Sequence, residues 1–431
     1  MRSNRRLALP AFAAATSAAL LPNLLACASQ QDDPPREEPP VTATPDATAI
    51  AASTGLTTFA LDLHRELAKD AGNRNVFVSP WSIWTALGML SEGARGETRK
   101  QIVAAMGLTG AVAESHTLRQ GASDLRARLG AADGDVAMTT ADAIWADESF
   151  DLSTDLVAAL RSGFDAELAH VAFRKNPEAA RDQINEWVDV QTRGRIEDLI
   201  PEGSIDANTE LVLTDAIYFK GSWLHPFDEE RTHTGGFTRI DGSVAEVPLM
   251  SLRTPESFPT TRMVDDAAQV AATVIELPYE GERISFVAIV PDRNDGLPKL
   301  ESWLDADRLR SALSSMKPMT TAVVLPKISL EPKVGLVDTL KALGVKDAFT
   351  DAADLSGFSE SGRKNLVVTD AMHAAFLEVD EKGTEAAGAT GIMVGRTSMP
   401  TVVAMDRPFL FMIRERTSGA VLFLGRMMDP S

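Results

Sequence analysis

Between Gly383 and Gly391 the chain reads Gly-Thr-Glu-Ala-Ala-Gly-Ala-Thr-Gly, nine residues without one large apolar side chain. Phe376 to Val379, just upstream, is apolar and reads as a buried strand. Ile392, Met393 and Val394 follow, and then Gly395, Arg396, Thr397 and Ser398. A segment this long with no turn signal and no apolar face is normally a functional loop or a linker. Read with period two, however, Thr384, Ala386, Gly388, Thr390, Ile392 and Val394 share one face, free of charge and of proline. The opposite face carries one charge, Glu385. Such a segment is able to enter between two existing strands, and its side chains must be small because each passes into a close-packed sheet. The stretch points to a conformational switch and requires the rest of the chain to supply a sheet that opens.

The N-terminus carries a different signal. Arg2, Arg5 and Arg6 precede an apolar, alanine-rich run from Leu7 to Ala26 that holds Pro10 and Pro22 and is short for a membrane span. A basic start, an apolar middle and a small residue before the break form a secretory signal over residues 1–26. Leu24-Leu25-Ala26-Cys27 is similar to a bacterial lipobox, whose cysteine is lipidated and becomes the new N-terminus; the alternative is an ordinary signal with an incidental cysteine. Cys27 is the only cysteine and so has no disulfide partner, which favours lipidation. Arg5-Arg6 leaves a twin-arginine export route open. Residues 27–52 read as the lipidated cysteine and a disordered tether with Asp32, Asp33, Glu37, Glu38 and two proline pairs, too poor in apolar side chains to offset ordering entropy. The expected location is the bacterial cell envelope, at the outer membrane or cell surface, or outside the cell after release. Removing residues 1–26 takes away three arginines and no acid, which moves the formal charge from −19 to −22. That sign disfavours nucleic acid and anionic glycans as partners, and no lysine or arginine run suggests a heparin-type site.

Residues 53–431 contain no second linker. Leu56, Phe59, Leu63 and Leu67 recur at helical spacing. Asn75 to Ser79 reads as a short strand running into a helix, with Ser79 as N-cap and Pro80 at the first helical position. Asp135 to Ala146 reads as one long strand, and Asn176 to Val188 as a helix with one apolar face. Leu211 to Trp223 is apolar on both faces and suits a central strand. Val274 to Tyr279 and Ile284 to Pro291 form a hairpin, Leu300 to Met316 a helix, Val323 to Glu331 a strand, and Val334 to Leu343 a helix closed by Gly344. Strands from Asp406 to Arg414 and from Ala420 to Arg426 pair around Thr417-Ser-Gly. There is no His-Glu-x-x-His, no cysteine cluster, no Gly-x-Ser-x-Gly and no phosphate-binding glycine loop. The expectation is no metal, no cofactor and no enzymatic activity.

Glu381-Lys-Gly-Thr-Glu-Ala-Ala-Gly-Ala resembles the hinge of the reactive loop of serpins, the serine-protease-inhibitor family. Ala86 to Thr98, Leu211 to Trp223, Gly194 to Asp206 and Asp354-Leu-Ser-Gly-Phe resemble the family as well, so the likeness spans all of 53–431. It implies one domain of α+β class, with three β-sheets, eight to nine helices and an exposed reactive-centre loop at about 381–404. It implies a monomer whose partner is a serine protease. The protease attacks the loop and forms an acyl-enzyme; the freed hinge enters the main sheet as a new strand; the trapped protease is distorted before it deacylates. The alternative is a non-inhibitory member acting as carrier, chaperone or decoy substrate.

By the same likeness the hinge comprises Glu381, Gly383, Thr384, Glu385, Ala386, Ala387, Gly388, Ala389 and Thr390. Counting from Glu381 places the cut at Thr397-Ser398, which suits elastase-like enzymes. A trypsin-like enzyme would cut Arg396-Thr397, one residue earlier. Ser79, Ser82, Trp223 and His373 fall where the sheet parts; Ser79 is open to a capping role alone, and His373 either to a plain core role or to a pH switch. Asp215 departs from the family pattern, which has asparagine there. A carboxylate only accepts where an amide both donates and accepts, so the likeness predicts His373 close to an altered partner.

Overall fold

The computed structural model describes residues 47–130, 136–140, 142–364, 366–384 and 401–431. The chain divides into two units, Met1–Pro39 and Pro40–Ser431, and the first lies wholly outside the described residues. So do the signal at 1–26 and Cys27. The first helix, Ala47–Ala71, begins inside the segment read as tether, and Ala49 and Ala52 are fully buried. Folding therefore starts six residues ahead of the boundary drawn at 53, because small alanines complete the buried face that Leu56, Phe59 and Leu63 continue.

Nine α-helices and three sheets make an α+β fold among the described residues. A ten-stranded sheet is built mostly from antiparallel neighbours in the second half of the chain. A six-stranded and a three-stranded sheet form the second surface. They are joined covalently where Ala137–Thr140 leads to Ala143–Asp147 and where Leu211–Thr214 leads to Ala216–Ser222. The sequence suggested one unbroken strand at each place. Register explains the breaks: Thr140 faces Ile217 and Ala143 faces Thr214, so Asp142 falls opposite Asp215. Aspartate is poorly suited to strands, and two of them fall together at this one register position.

The helix Pro80–Gly93 runs beneath this surface, buried on every side except at Ala86. A helix apolar all round belongs inside a core. Its N-terminus is fixed as expected, with the Ser79 hydroxyl accepting from the Ser82 N–H at 3.2 Å and Pro80 in the first turn. Pro177–Gln191 is capped in the same way by Asn176, and Ala180, Ile184 and Val188 are its buried stripe. The helix read over Leu300 to Met316 is two, Leu297–Trp303 and Ala306–Ser315, because the Asp305 carboxylate caps a new start by accepting from the Arg308 N–H at 2.8 Å. Lys333–Gly335 is a strand, which moves the start of the next helix to Val337.

Candidate functional site: a parted sheet and its hinge

The strands Ala216–Ser222 and Met372–Val379 lie side by side and parallel, but they pair at three positions: Ala216 with Ala374, Ile217 with Ala375, Tyr218 with Phe376. On one side of this clasp the strands diverge, and Gly383–Thr384 enters between them. Gly383 pairs with Ser222 and Thr384 with Gly221 on one strand, while Thr384 pairs with Val379 on the other. On the far side Leu211–Thr214 pairs only with Ala143–Asp147, which leaves its other edge open among the described residues.

Local chemistry explains why the chain turns back here. The Asp380 carboxylate accepts from the N–H groups of Lys382 (2.8 Å) and Gly383 (3.1 Å), and the Asp380 N–H donates to the Gly383 carbonyl (2.8 Å). An aspartate satisfying backbone donors two and three residues on is a turn device. Gly383 is required for close approach: a Cβ there would stand 2.0 Å from the Gly221 carbonyl oxygen and 2.7 Å from Ser222 Cα. The Trp223 N–H donates to the Lys382 carbonyl (2.9 Å) and its indole N–H to the Asp380 carbonyl (3.0 Å), so Trp223 stands where the hinge begins to enter.

Three partners of the hinge were not evident from sequence. The Thr384 side chain is buried, and its hydroxyl shares a hydrogen bond with the Tyr279 hydroxyl at 2.9 Å. Burial raises the Tyr279 phenol far above its ordinary value, so it keeps its proton. The Tyr279 ring stacks on Trp223 with centroids 4.5 Å apart and planes 7° from parallel. Glu381 accepts from the Thr232 hydroxyl (2.7 Å) and pairs with Lys327 (2.9 Å). Burial alone would raise the Glu381 carboxyl, but the bonds from Lys327 and Thr232 outweigh it and hold the group below its usual range. These contacts join residues 54 to 149 positions apart in the sequence, beyond the reach of any local pattern.

The clasp has a cover and a floor. The segment after the Pro177–Gln191 helix lays the Arg193 guanidinium 5.7 Å from the Tyr218 ring centroid and Arg195 4.8 Å from that of Phe376. Those two rings belong to the last closed pair. Lys333 fixes the cover by donating to the carbonyls of Glu197 (2.7 Å) and Asp198 (3.1 Å). On the floor the Ser79 N–H donates to His373 Nε2 at 3.0 Å, and the Ser79 hydroxyl donates to the Leu422 carbonyl at 2.7 Å. Ser79 therefore both caps its helix and ties it to the parting strand. The Ser82 hydroxyl has no hydrogen-bond partner among the described residues. His373 Nδ1 lies 3.8 Å from Asp215 Oδ1, near but outside hydrogen-bond reach. Burial pushes His373 down to about 3, so its ring is neutral near pH 7, and pushes the Asp215 carboxyl well above its usual value.

Glu385, Ala386, Ala387, Gly388, Ala389, Thr390, Arg396, Thr397 and Ser398 lie outside the described residues. The chain resumes in Thr401–Ala404, which pairs parallel with Thr321 to Val324 in the ten-stranded sheet. The two described ends of the loop are thus fixed in different sheets. Among the described residues no His, Cys, Asp and Glu group could hold a metal ion, and no helix is long and apolar enough to cross a membrane.

The start of the loop is thus seated between two strands of one sheet that are themselves joined by three pairs. The family model described as Serpin (serine protease inhibitor) matches residues 54–430. Iris from Ixodes ricinus is 36% identical over 379 residues, covering 86% of this chain and 97% of that one. Leukocyte elastase inhibitor from Bos taurus is 36% identical over 382 residues, covering 87% and 98%. Human thyroxine-binding globulin superposes with a TM-score of 0.79 at 27% identity, covering 89% of this chain and 100% of that one. Uncleaved ovalbumin superposes with a TM-score of 0.78 at 30% identity, covering 88% and 99%. The chain belongs to the serpin family.

Proposed function

We propose that the protein is a suicide inhibitor of serine proteases that traps its target by inserting the cleaved loop into the main sheet. The observation that carries this reading is the seat of Gly383–Thr384. Two hinge residues already form the start of a strand between strands joined by three pairs, and the side of the clasp ahead of them has an open edge. The residues that would follow them in sequence on the inward face, Ala386, Gly388 and Thr390, are small enough to enter. Their glycine lowers strand propensity and slows entry relative to alanine.

Thr397-Ser398 is the proposed scissile bond for an elastase-like enzyme, a reading supported by the name of the bovine relative. Arg396-Thr397 is the bond for a trypsin-like one, and both enzymes are trapped with different efficiency. We further infer that residues 1–26 direct export, that Cys27 carries a lipid, and that the folded part works at the envelope surface as a monomer. Mass spectrometry of the mature N-terminus checks the lipid directly. A carrier role is the second reading, favoured by the likeness to thyroxine-binding globulin.

The test is Thr384→Arg. Thr384 is buried between two strands, and a guanidinium there has no anionic partner, so the cleaved loop cannot seat. The variant should be cut as a substrate without forming a covalent complex. Undiminished inhibition by it would sink the insertion model.

A further inference from the structure

Beneath the clasp lies a cavity of about 60 Å³. Leu87, Leu340, Phe349 and Met372 supply apolar wall, and no lysine or arginine lines it. Its polar members are the exposed Asp370 and, deep in the protein, Asp215 and His373. Asp215 is 4% exposed, and neither of its carboxyl oxygens has a hydrogen-bond partner among the described residues. Because His373 Nε2 accepts from Ser79, the neutral ring carries its proton on Nδ1, and that N–H has no hydrogen-bond partner among the described residues either.

A carboxyl group in apolar surroundings is stable in two forms: protonated, or ion-paired. Asp215, buried with no donor or cation against it among the described residues, is biased toward the first. The paired form needs a cation from outside, because the surrounding elements offer none. The parting strand presents neutral His373, the segment before it presents Asp370, and the buried helix presents Ser79 and Ser82. Asp142, opposite in register, lies in the field of Arg126.

The geometry points to a binding site for a small organic ammonium ion, its charged head on Asp215 and a short alkyl tail against the leucines and Phe349. At roughly 10–15 Å³ for each water-sized unit, the space takes about four non-hydrogen atoms, the size of n-propylammonium. Binding is a proton exchange. The Asp215 carboxylic acid releases its proton to solvent, the resulting carboxylate pairs with the ammonium, which keeps its own protons, and the His373 Nδ1–H donates to the same carboxylate. The site goes beyond the inhibitory reading and does not depend on it.

Isothermal titration of the folded protein with n-propylammonium chloride at pH 7, in two buffers of different ionisation enthalpy, tests this, with 1-propanol as the neutral isostere. The expected result is saturable binding with a Kd on the order of 1 mM, the affinity open to so small a ligand. About one proton should be released per ligand, and 1-propanol should bind at least tenfold more weakly. Asp215→Asn, which keeps the shape and removes the charge, should abolish ammonium binding. Leu87→Phe, which fills the cavity and leaves Asp215 in place, should abolish it too. Equal binding of 1-propanol, no binding at all, no proton release, or unchanged binding in either variant would overturn the assignment.

Discussion

Replacing Gly383 with valine sets a branched side chain against backbone that has no room for it. The first added carbon already meets the Gly221 carbonyl oxygen at 2.0 Å and Ser222 Cα at 2.7 Å, and neither atom belongs to a flexible side chain. The hinge must leave the sheet. Leaving undoes the pairing of Gly383 with Ser222 and of Thr384 with Gly221, and also the bond between Thr384 and Tyr279. At about 1 kcal/mol net for each hydrogen bond, three lost bonds come to about 3 kcal/mol of local stability, roughly a hundredfold in the opening equilibrium. Amide hydrogen exchange read by mass spectrometry resolves the change. Gly221, Ser222 and Thr384 should exchange about a hundredfold faster in Gly383→Val than in wild type, while the clasp at Ala216 to Tyr218 stays protected. Unchanged protection at Gly221 and Ser222 would refute the reasoning, because it would mean the hinge is not seated where its pairing places it.

Two further outcomes follow from the same contacts. Tyr279→Phe removes one hydroxyl and leaves that of Thr384 buried without its partner, a loss of about 1–2 kcal/mol. The Thr384 amide should exchange about tenfold faster while Trp223 remains packed on the ring, and an unaltered rate would show the bond to be inconsequential. The buried pair on the floor of the sheet sets a pH dependence with opposed signs. His373 is lowered from 6.5 to about 3 on folding, so its stabilising effect is full above pH 6.5 and is lost as pH falls. Asp215 is raised above 3.8, so it stabilises below that pH and loses this effect as pH rises toward its folded value. In wild type the two slopes cancel between pH 3.8 and pH 6.5 for as long as folded Asp215 keeps its proton. In Asp215→Asn, His373 acts alone, and stability from urea unfolding should fall by about 2 kcal/mol between pH 6.5 and pH 5. A variant curve parallel to wild type would contradict these assignments.

The hinge was legible in the sequence because its constraint is local. A strand that must enter a packed sheet writes small side chains at every second position, and Thr384 stands where that pattern puts it. Ser79 was readable for the same reason, since a cap acts within three residues of itself. The positions of Trp223 and His373 came from family resemblance; in the structure the Trp223 indole N–H donates to the Asp380 carbonyl and His373 Nδ1 lies 3.8 Å from Asp215 Oδ1. Tyr279, Lys327 and Thr232 were not legible, because each meets the hinge across a long sequence separation. Arg193 and Arg195 carry no local signal of their role; only the fold lays them over Tyr218 and Phe376. The strand breaks were hidden in two aspartates whose cross-strand register cannot be counted from either one alone.

The most direct measurement takes the lipid-free folded domain and mixes it separately with trypsin and with an elastase. Denaturing gels follow the products, and mass spectrometry reads the released C-terminal peptide. The account predicts a covalent complex that survives denaturation with both enzymes. The released peptide should begin at Ser398 after elastase and at Thr397 after trypsin. Clean cleavage with no complex, and with no gain in thermal stability of the cleaved chain, would contradict it.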